Sequence, residues 1–221
     1  MSHLTIRELK KNLKFLKKNK INNICIDTEG AQIRTSNIKR NIFLKKNQII
    51  HLSTEKNRSP KTVNLYPEFD LKSIKNNSII HIGFDGLVLK VVKKYNKILK
   101  SKVLQGGKIE NNKGVHFDSF IKLPPLTKKD HEAIKIAKKY NIKKYALSFA
   151  NLPRDVNYIR SFLPKNAELI SKIETRSGYT NRKKIIALSD KILIDRGDLS
   201  RYIKISKIPI AQKEIINDSK I

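Results

Sequence analysis

Three short stretches concentrate the groups able to do chemistry. In "ELISKIETRSG", Glu168 to Gly178, an apolar run holds Leu169, Ile170 and Ile173, yet also Lys172 and Glu174. Side chains on a strand alternate with period two, so Lys172 and Glu174 share one face and Ile173 takes the other. "ILIDRGDLS" sets Asp195 and Asp198 at the end of a second apolar run, with Gly197 just before the second aspartate. "CIDTEG" ends a third run on Asp27. In α/β barrels the carboxyl ends of strands hold the site, because the loops converge there. Glu174 and Asp198 on neighbouring strands would supply two hard oxygen ligands, a set that suits Mg²⁺ together with substrate oxygens and water. Lys172 would add a fixed positive charge, able to stabilise an enolate or a phosphoryl group in transfer.

Spacing leaves a second reading open for each. Lys172 and Glu174 could be a surface ion pair on an edge strand. Asp198 could be a helix N-cap, since "GDLS" can begin a turn; a helix N-terminus also attracts anions. Asp195 reads as a solvated or structural partner.

The elements that must position these groups follow from periodicity. "LTIRELKKNLKFLKKNK" places Ile6, Leu9, Leu13 and Leu16 at helical spacing, with Thr5 and Glu8 as a capping box. "NICIDTEGAQIRT" reads as a strand running into a loop. From about Ser36 to Ile121 short Ile- and Val-rich runs ("QIIHLS", "TVNLY", "SIIHIGF", "LVLKVV", "KILKSKVL") predict a small antiparallel β unit, with "FDG" at Phe84 to Gly86 as a tight hairpin turn. After "KLPPLT" the rhythm becomes helix then strand. A helix opens at Thr127, with Asp130 three residues on. Strand "YALSFA", helix "RDVNYIRSFL", strand "LISKIE", helix "NRKKIIALS", strand "KILIDRG" and a last helix opening at Pro209 follow. Alternation of this kind predicts a parallel sheet or (β/α) barrel.

Composition narrows the partners. The chain has 221 residues and no Trp. No apolar stretch approaches the ~20 residues that span a bilayer, and "MSHLTIRELKK" lacks the apolar core of a secretory signal. Cys25 is the single cysteine, which excludes an intrachain disulfide, and the five histidines have no ligand-like spacing. These features predict a cytoplasmic location. The formal charge is +29, from 48 Lys+Arg against 19 Asp+Glu. Such a balance draws nucleic acid and small anions alike. The excess is Lys spread along the whole chain, beside abundant Asn and Ile, as an A+T-rich coding sequence produces. Nucleic-acid binding therefore ranks last among the functional readings.

The same segments, in order, resemble one family, pyruvate kinase. "CIDTEGAQIRT", "IHIGFDGLVLKVV", "GGKIENNKGVHFD", "KLPPLTKKDHEAIKIA", "ALSFA", "ISKIET", "ILIDRGDLS" and "IPIAQKEII" each resemble a family segment, from Asn23 to Ile216. A lone "RGDL" would mean little; ordered segments around an inserted β domain are specific. The resemblance implies that Lys172 stabilises the enolate and the transferring phosphoryl group, and that Glu174 and Asp198 hold Mg²⁺. It implies that the backbone N–H groups of Gly197 and Asp198 face a substrate carboxylate and that Ser148 lies in the site. Asp27 and Thr28 match ligands of a monovalent cation such as K⁺. Arg34 matches an arginine near the transferring phosphate, and Lys113 a lid lysine that approaches nucleotide phosphate. The implied substrates are phosphoenolpyruvate or pyruvate with ADP or ATP.

Departures stand beside these matches. Glu29 replaces a Lys, and Gln32 replaces an acidic residue associated with K⁺ dependence. Ser200, Arg201 and Tyr202 are new next to Asp198. Complete family members are longer at both ends, and at most Ser2 and His3 survive of an early cation-binding segment. The expected architecture is α/β: a partial (β/α) TIM-type barrel of about four strands, residues 1–35 and 122–221, with an inserted small all-β barrel or lid domain, residues 36–121. About four barrel strands leave two open edges, which a second copy or another chain could close. Two functional readings remain: a Mg²⁺-dependent phosphotransferase of pyruvate kinase type, or a non-catalytic ligand-binding or regulatory protein of the same fold.

Overall fold

The structure is a computed structural model and describes residues 1, 3–38, 42–55, 59, 62–83, 86–119 and 121–220. In chain order the elements are α1 (Ile6–Lys18), β1 (Cys25–Asp27), β2 (Ile33–Ser36), β3 (Ile42–Leu44), β4 (Ile49–Ser53), β5 (Thr62–Tyr66), β6 (Ile79–Ile82), β7 (Leu87–Tyr95), β8 (Ile98–Gln105), β9 (Gly107–Ile109) and β10 (Gly114–Phe117). They continue with α2 (Lys128–Lys139), β11 (Lys144–Leu147), α3 (Pro153–Arg160), β12 (Glu168–Ile173), α4 (Arg176–Thr180), α5 (Arg182–Ile186), β13 (Lys191–Ile194), α6 (Arg196–Leu199) and, after a 3₁₀ turn, α7 (Ile208–Asp218).

The chain divides into two compact units. One joins Met1–Ala31 to Pro124–Ile221, and the other is Gln32–Leu123. The sequence reading put the crossings at 35/36 and 121/122. The difference at the first crossing has a plain cause. β2 hydrogen-bonds to β5 and β10, and Ile33 packs in the second unit's core, so 33–35 belong with the β strands.

The first unit is built on a parallel four-stranded sheet in the order β1-β11-β12-β13. The capping box predicted at Thr5 forms, and the N-cap predicted at Thr127 is a capping box too. Thr5 N donates to Glu8 Oε2 at 2.7 Å, and Thr127 N donates to Asp130 Oδ2 at 2.9 Å, which satisfies backbone donors that the first turn of a helix leaves free. Leu9 and Leu13 of α1 join Ala133, Ile134 and Ala137 of α2 and Leu169 and Ile173 of β12 in one buried cluster. The predicted helix "NRKKIIALS" is preceded by a turn of helix that the sequence reading left out, α4, capped by Thr175 through the N–H of Gly178.

The second unit is a closed barrel of seven strands in the order β10-β2-β5-β4-β8-β7-β6, with β3 and β9 paired separately. Closure removes the open edges that a sheet of this size would carry. Its interior is aliphatic: Leu52, Ile74, Ile80, Leu89, Leu99 and Val103 are fully buried. The sequence predicted a small antiparallel unit; most of its pairs are antiparallel, but β4 and β5 run parallel. Ile- and Val-rich runs specify strands and not their direction. Of the predicted "FDG" turn, Phe84 and Asp85 lie outside the described residues, as does Ser2; Gly86 has φ +79°.

Candidate functional site

β12 is an interior strand, paired with β11 on one side and β13 on the other. That overturns the edge-strand reading of its charges. The Lys172 side chain is 12% exposed and that of Glu174, just past the strand end, 1%, with Lys172 Nζ 3.0 Å from Glu174 Oε1. Parallel pairing brings the ends of β1 and β11 alongside. Lys172 Nζ lies 3.4 Å from Asp27 Oδ2 and 3.3 Å from Ser148 Oγ, and Ser148 Oγ donates to Asp27 Oδ1 at 2.9 Å. Three of the predicted residues, Glu174, Asp27 and Ser148, thus meet around the ammonium of a fourth, Lys172.

The turn after β11 does the fine placement. Phe149 takes φ +54°, a left-handed conformation uncommon for a bulky residue. In this conformation its N–H donates to Glu174 Oε2 at 2.5 Å. One carboxylate oxygen is thereby held by backbone while the other meets Lys172. Ser148 N donates to Thr28 Oγ1 at 3.0 Å, so Thr28 serves the backbone of the turn.

On the far side, β13 delivers α6. Its N-cap is Asp195, whose Oδ1 accepts from Asp198 N at 3.2 Å. The cap is therefore Asp195 and not Asp198, and the Asp198 N–H expected to face a substrate carboxylate already has a partner. Gly197 O accepts the Ser200 hydroxyl at 2.7 Å. Oxygens of Glu174, Asp195 and Asp198 lie within 4.8 Å of one another. This set is larger than the predicted pair by Asp195, and the signal was present as an Asp three residues ahead of another.

Electrostatics follow from burial. Removal from water pushes the Glu174 carboxyl up to about 7, and the Asp198 charge adds to this; Lys172 and the Phe149 N–H oppose it. Burial pulls the Lys172 ammonium down, yet the charges of Glu174 and Asp27 outweigh it, and the net shift is upward. Tyr202 is pushed up to about 12 by burial and by Asp198, so its phenol stays neutral. Three carboxylates gathered beside one ammonium fit a hard divalent cation: it would offset both their mutual repulsion and the penalty of burying Glu174.

Arg34 and Lys113 belong to the second unit. Gly114 pairs with Arg34 across the β2–β10 ladder, so Lys113 and Arg34 sit at the same end of it. Arg34 Nη1 donates to Asn112 O at 3.0 Å, and Lys113 Nζ is 2.9 Å from Glu110 Oε2. Gln32 Oε1 is buried without a hydrogen-bond partner among the described residues. Glu29, a departure from the family pattern, stands outside the Lys172 cluster; it accepts from Lys129 at 2.8 Å and from Thr127 at 2.9 Å.

A parallel sheet with a lysine and carboxylates at its strand ends, interrupted by a closed β-barrel, defines a mixed α/β protein with a metal-compatible centre. The family described as "Pyruvate kinase, barrel domain" matches residues 2–221, and the chain belongs to that family. It is similar to the pyruvate kinase of Thermotoga maritima, 35% identical over 214 residues, which covers 92% of this chain and 45% of the relative. It is similar also to the pyruvate kinase of Staphylococcus aureus strain MRSA252, 33% identical over 221 residues, covering 96% of this chain and 37% of the relative. The chain thus spans less than half the length of these relatives. No helix among the described residues is long and apolar enough to cross a membrane.

Proposed function

We propose that the Lys172 centre handles phosphoenolpyruvate or the enolate of pyruvate with Mg²⁺, as part of phosphoryl transfer of pyruvate kinase type. The observation that carries this reading is the buried Lys172–Glu174 pair at the end of an interior strand, with Asp195 and Asp198 oxygens beside it. Glu174 and Asp198 would hold the cation, with Asp195 joining or orienting them. In the reaction the phosphoryl group leaves the enol oxygen of phosphoenolpyruvate for the terminal phosphate oxygen of ADP. The enolate left behind takes a proton at carbon to give pyruvate. Lys172 would stand against the negative charge that develops in that step. Arg34 and Lys113 are assigned to phosphate and nucleotide binding in the second unit, which would act as a lid. Asp27 and Thr28 are the candidates for a monovalent cation such as K⁺, although Asp27 already accepts from Lys172 and Ser148, and Thr28 from Ser148 N.

We further propose that the four-stranded sheet is one arc of a (β/α) barrel, closed at β1 and β13 by a second copy or by further β/α units. A second functional reading, a non-catalytic ligand-binding protein of the same fold, draws on the exchange that puts Ser200, Arg201 and Tyr202 next to Asp198.

A coupled assay for pyruvate formed from phosphoenolpyruvate and ADP separates the readings. The expectation is weak Mg²⁺-dependent turnover that Lys172→Met lowers by about 100-fold or more. Turnover unchanged in that variant would remove Lys172 from the chemistry. Absence of turnover in the wild type, together with Mg²⁺-dependent binding of oxalate, would select the non-catalytic reading.

A further inference from the structure

Asp130 is fully buried and lies outside the Lys172 cluster. Its carboxylate accepts three backbone N–H groups: Glu29 N at 2.7 Å, Gly30 N at 3.2 Å and Thr127 N at 2.9 Å. A capping box accounts for the last of these alone. The other two reach across 101 and 100 residues of sequence, to the loop that follows β1. Thr127 Oγ1 closes the network, accepting from Asp130 N at 3.1 Å and donating to Glu29 Oε2 at 2.9 Å. Both segments fastened here are those by which the chain leaves this unit, at Ala31, and re-enters it, at Pro124.

The fastened loop bears on the site through one close approach. Gly30 takes φ +68°, and a Cβ built on it would lie 2.3 Å from Ser148 O. The loop backbone therefore sits directly against the Ser148 peptide. Thr28, two residues earlier, accepts from Ser148 N at 3.0 Å. The same turn then holds Glu174 through Phe149 N and meets Lys172 through Ser148 Oγ.

We infer that Asp130 is a positioning residue for the Lys172–Glu174 centre, acting through the Glu29–Gly30 loop and the Ser148–Phe149 turn. The consequence for metal binding rests on the functional reading given above; the mechanical linkage does not. The carboxylate fixes two loop donors, the loop fixes the Ser148 peptide, and that peptide sets where Glu174 points. Glu29 finds its place in this clasp, by its Lys129 and Thr127 contacts, and not in the site.

The test compares Asp130→Ala with Val156→Ala. Val156 is a fully buried residue of α3 outside the clasp, and it controls for general loss of stability. Amide hydrogen exchange at Ser148 and Phe149 is measured by NMR in the folded state, and Mn²⁺ affinity by electron paramagnetic resonance. Asp130→Ala is expected to speed exchange at these two amides by on the order of ten-fold beyond the control. Mn²⁺ affinity is expected to fall by about 10–100-fold, as when a group that orients metal ligands is lost. Should Asp130→Ala fail to fold, Asp130→Asn supplies the comparison, because Glu29 N and Gly30 N use different carboxylate oxygens and an amide N–H₂ in place of either one cannot accept its loop donor. A lowered Tm, with exchange at Ser148 and Phe149 and Mn²⁺ affinity no different from the control, would overturn the inference and leave Asp130 as a helix cap. A wild type that binds no Mn²⁺ would sink the metal reading, and the exchange comparison would then decide the positioning role by itself.

Discussion

Lys172 sits where burial favours loss of its proton, and it keeps the proton because carboxylates at 3.0 Å and 3.4 Å hold it. Glu174 shows the converse, with burial dominating its surroundings. Without the Glu174 charge Lys172 keeps Asp27 at 3.4 Å, so the loss falls short of the about 3–5 kcal/mol that a buried charge left wholly unpaired costs. Glu174→Gln is therefore expected to weaken Mg²⁺ binding by at least about ten-fold, measured by calorimetry, while the fold stays intact by circular dichroism. Binding unchanged in that variant would place the cation elsewhere. At this scale Lys172, Glu174 and Asp198 stood out in the sequence on spacing and on resemblance, and the fold brings their charged groups together. Phe149 and Asp130 did not stand out. The first acts through its backbone, which its side chain does not announce, and the second has the appearance of an ordinary helix cap.

The strands and helices near the site have their own supports. Asp190, after α5, accepts Leu169 N at 2.6 Å and Arg160 Nη2 at 2.7 Å, and so ties β12 to α3. Burial pushes this carboxyl up, but the Leu169 N–H and the Arg160 charge outweigh it, and the net shift is below the ordinary aspartate value of 3.8. A lowered carboxyl stabilises the folded state fully above that value, and the contribution is lost as pH falls through the lowered one. Because Asp190 is nearly half exposed, its contribution is small, about 1 kcal/mol. Asp190→Ala should lower Tm by a few degrees at pH 7, and the gap between variant and wild type should close as the solution is acidified below 3.8. A gap that persists into strong acid would assign the effect to packing. Element types were largely readable from periodicity and caps. Strand direction and pairing were not: the parallel β4–β5 contact depends on where the chain returns, which no local pattern records.

At the scale of the whole molecule, each unit has its own principal core among the described residues, one of mixed α/β packing and one inside the closed barrel. A closed seven-stranded barrel with its own aliphatic interior meets the requirements for folding alone. Residues 32–123 expressed by themselves are expected to give a β-type circular dichroism spectrum and a cooperative thermal transition. A featureless melt would show that the barrel depends on the rest of the chain. The first crossing depends on strand pairing and not on composition, since its partners decide where β2 belongs.

The alternation along β12 has a consequence for how this protein can vary. Ile173 faces the core and Lys172 the site, and only the parity of the strand keeps them apart. Loss or gain of one codon between Leu169 and Ile173 would exchange the two faces at every position beyond it. It would drive an ammonium into hydrocarbon and turn an isoleucine toward the carboxylates. Substitutions along β12 change one contact at a time, whereas a single-residue change in its length reverses the sorting of charge from oil.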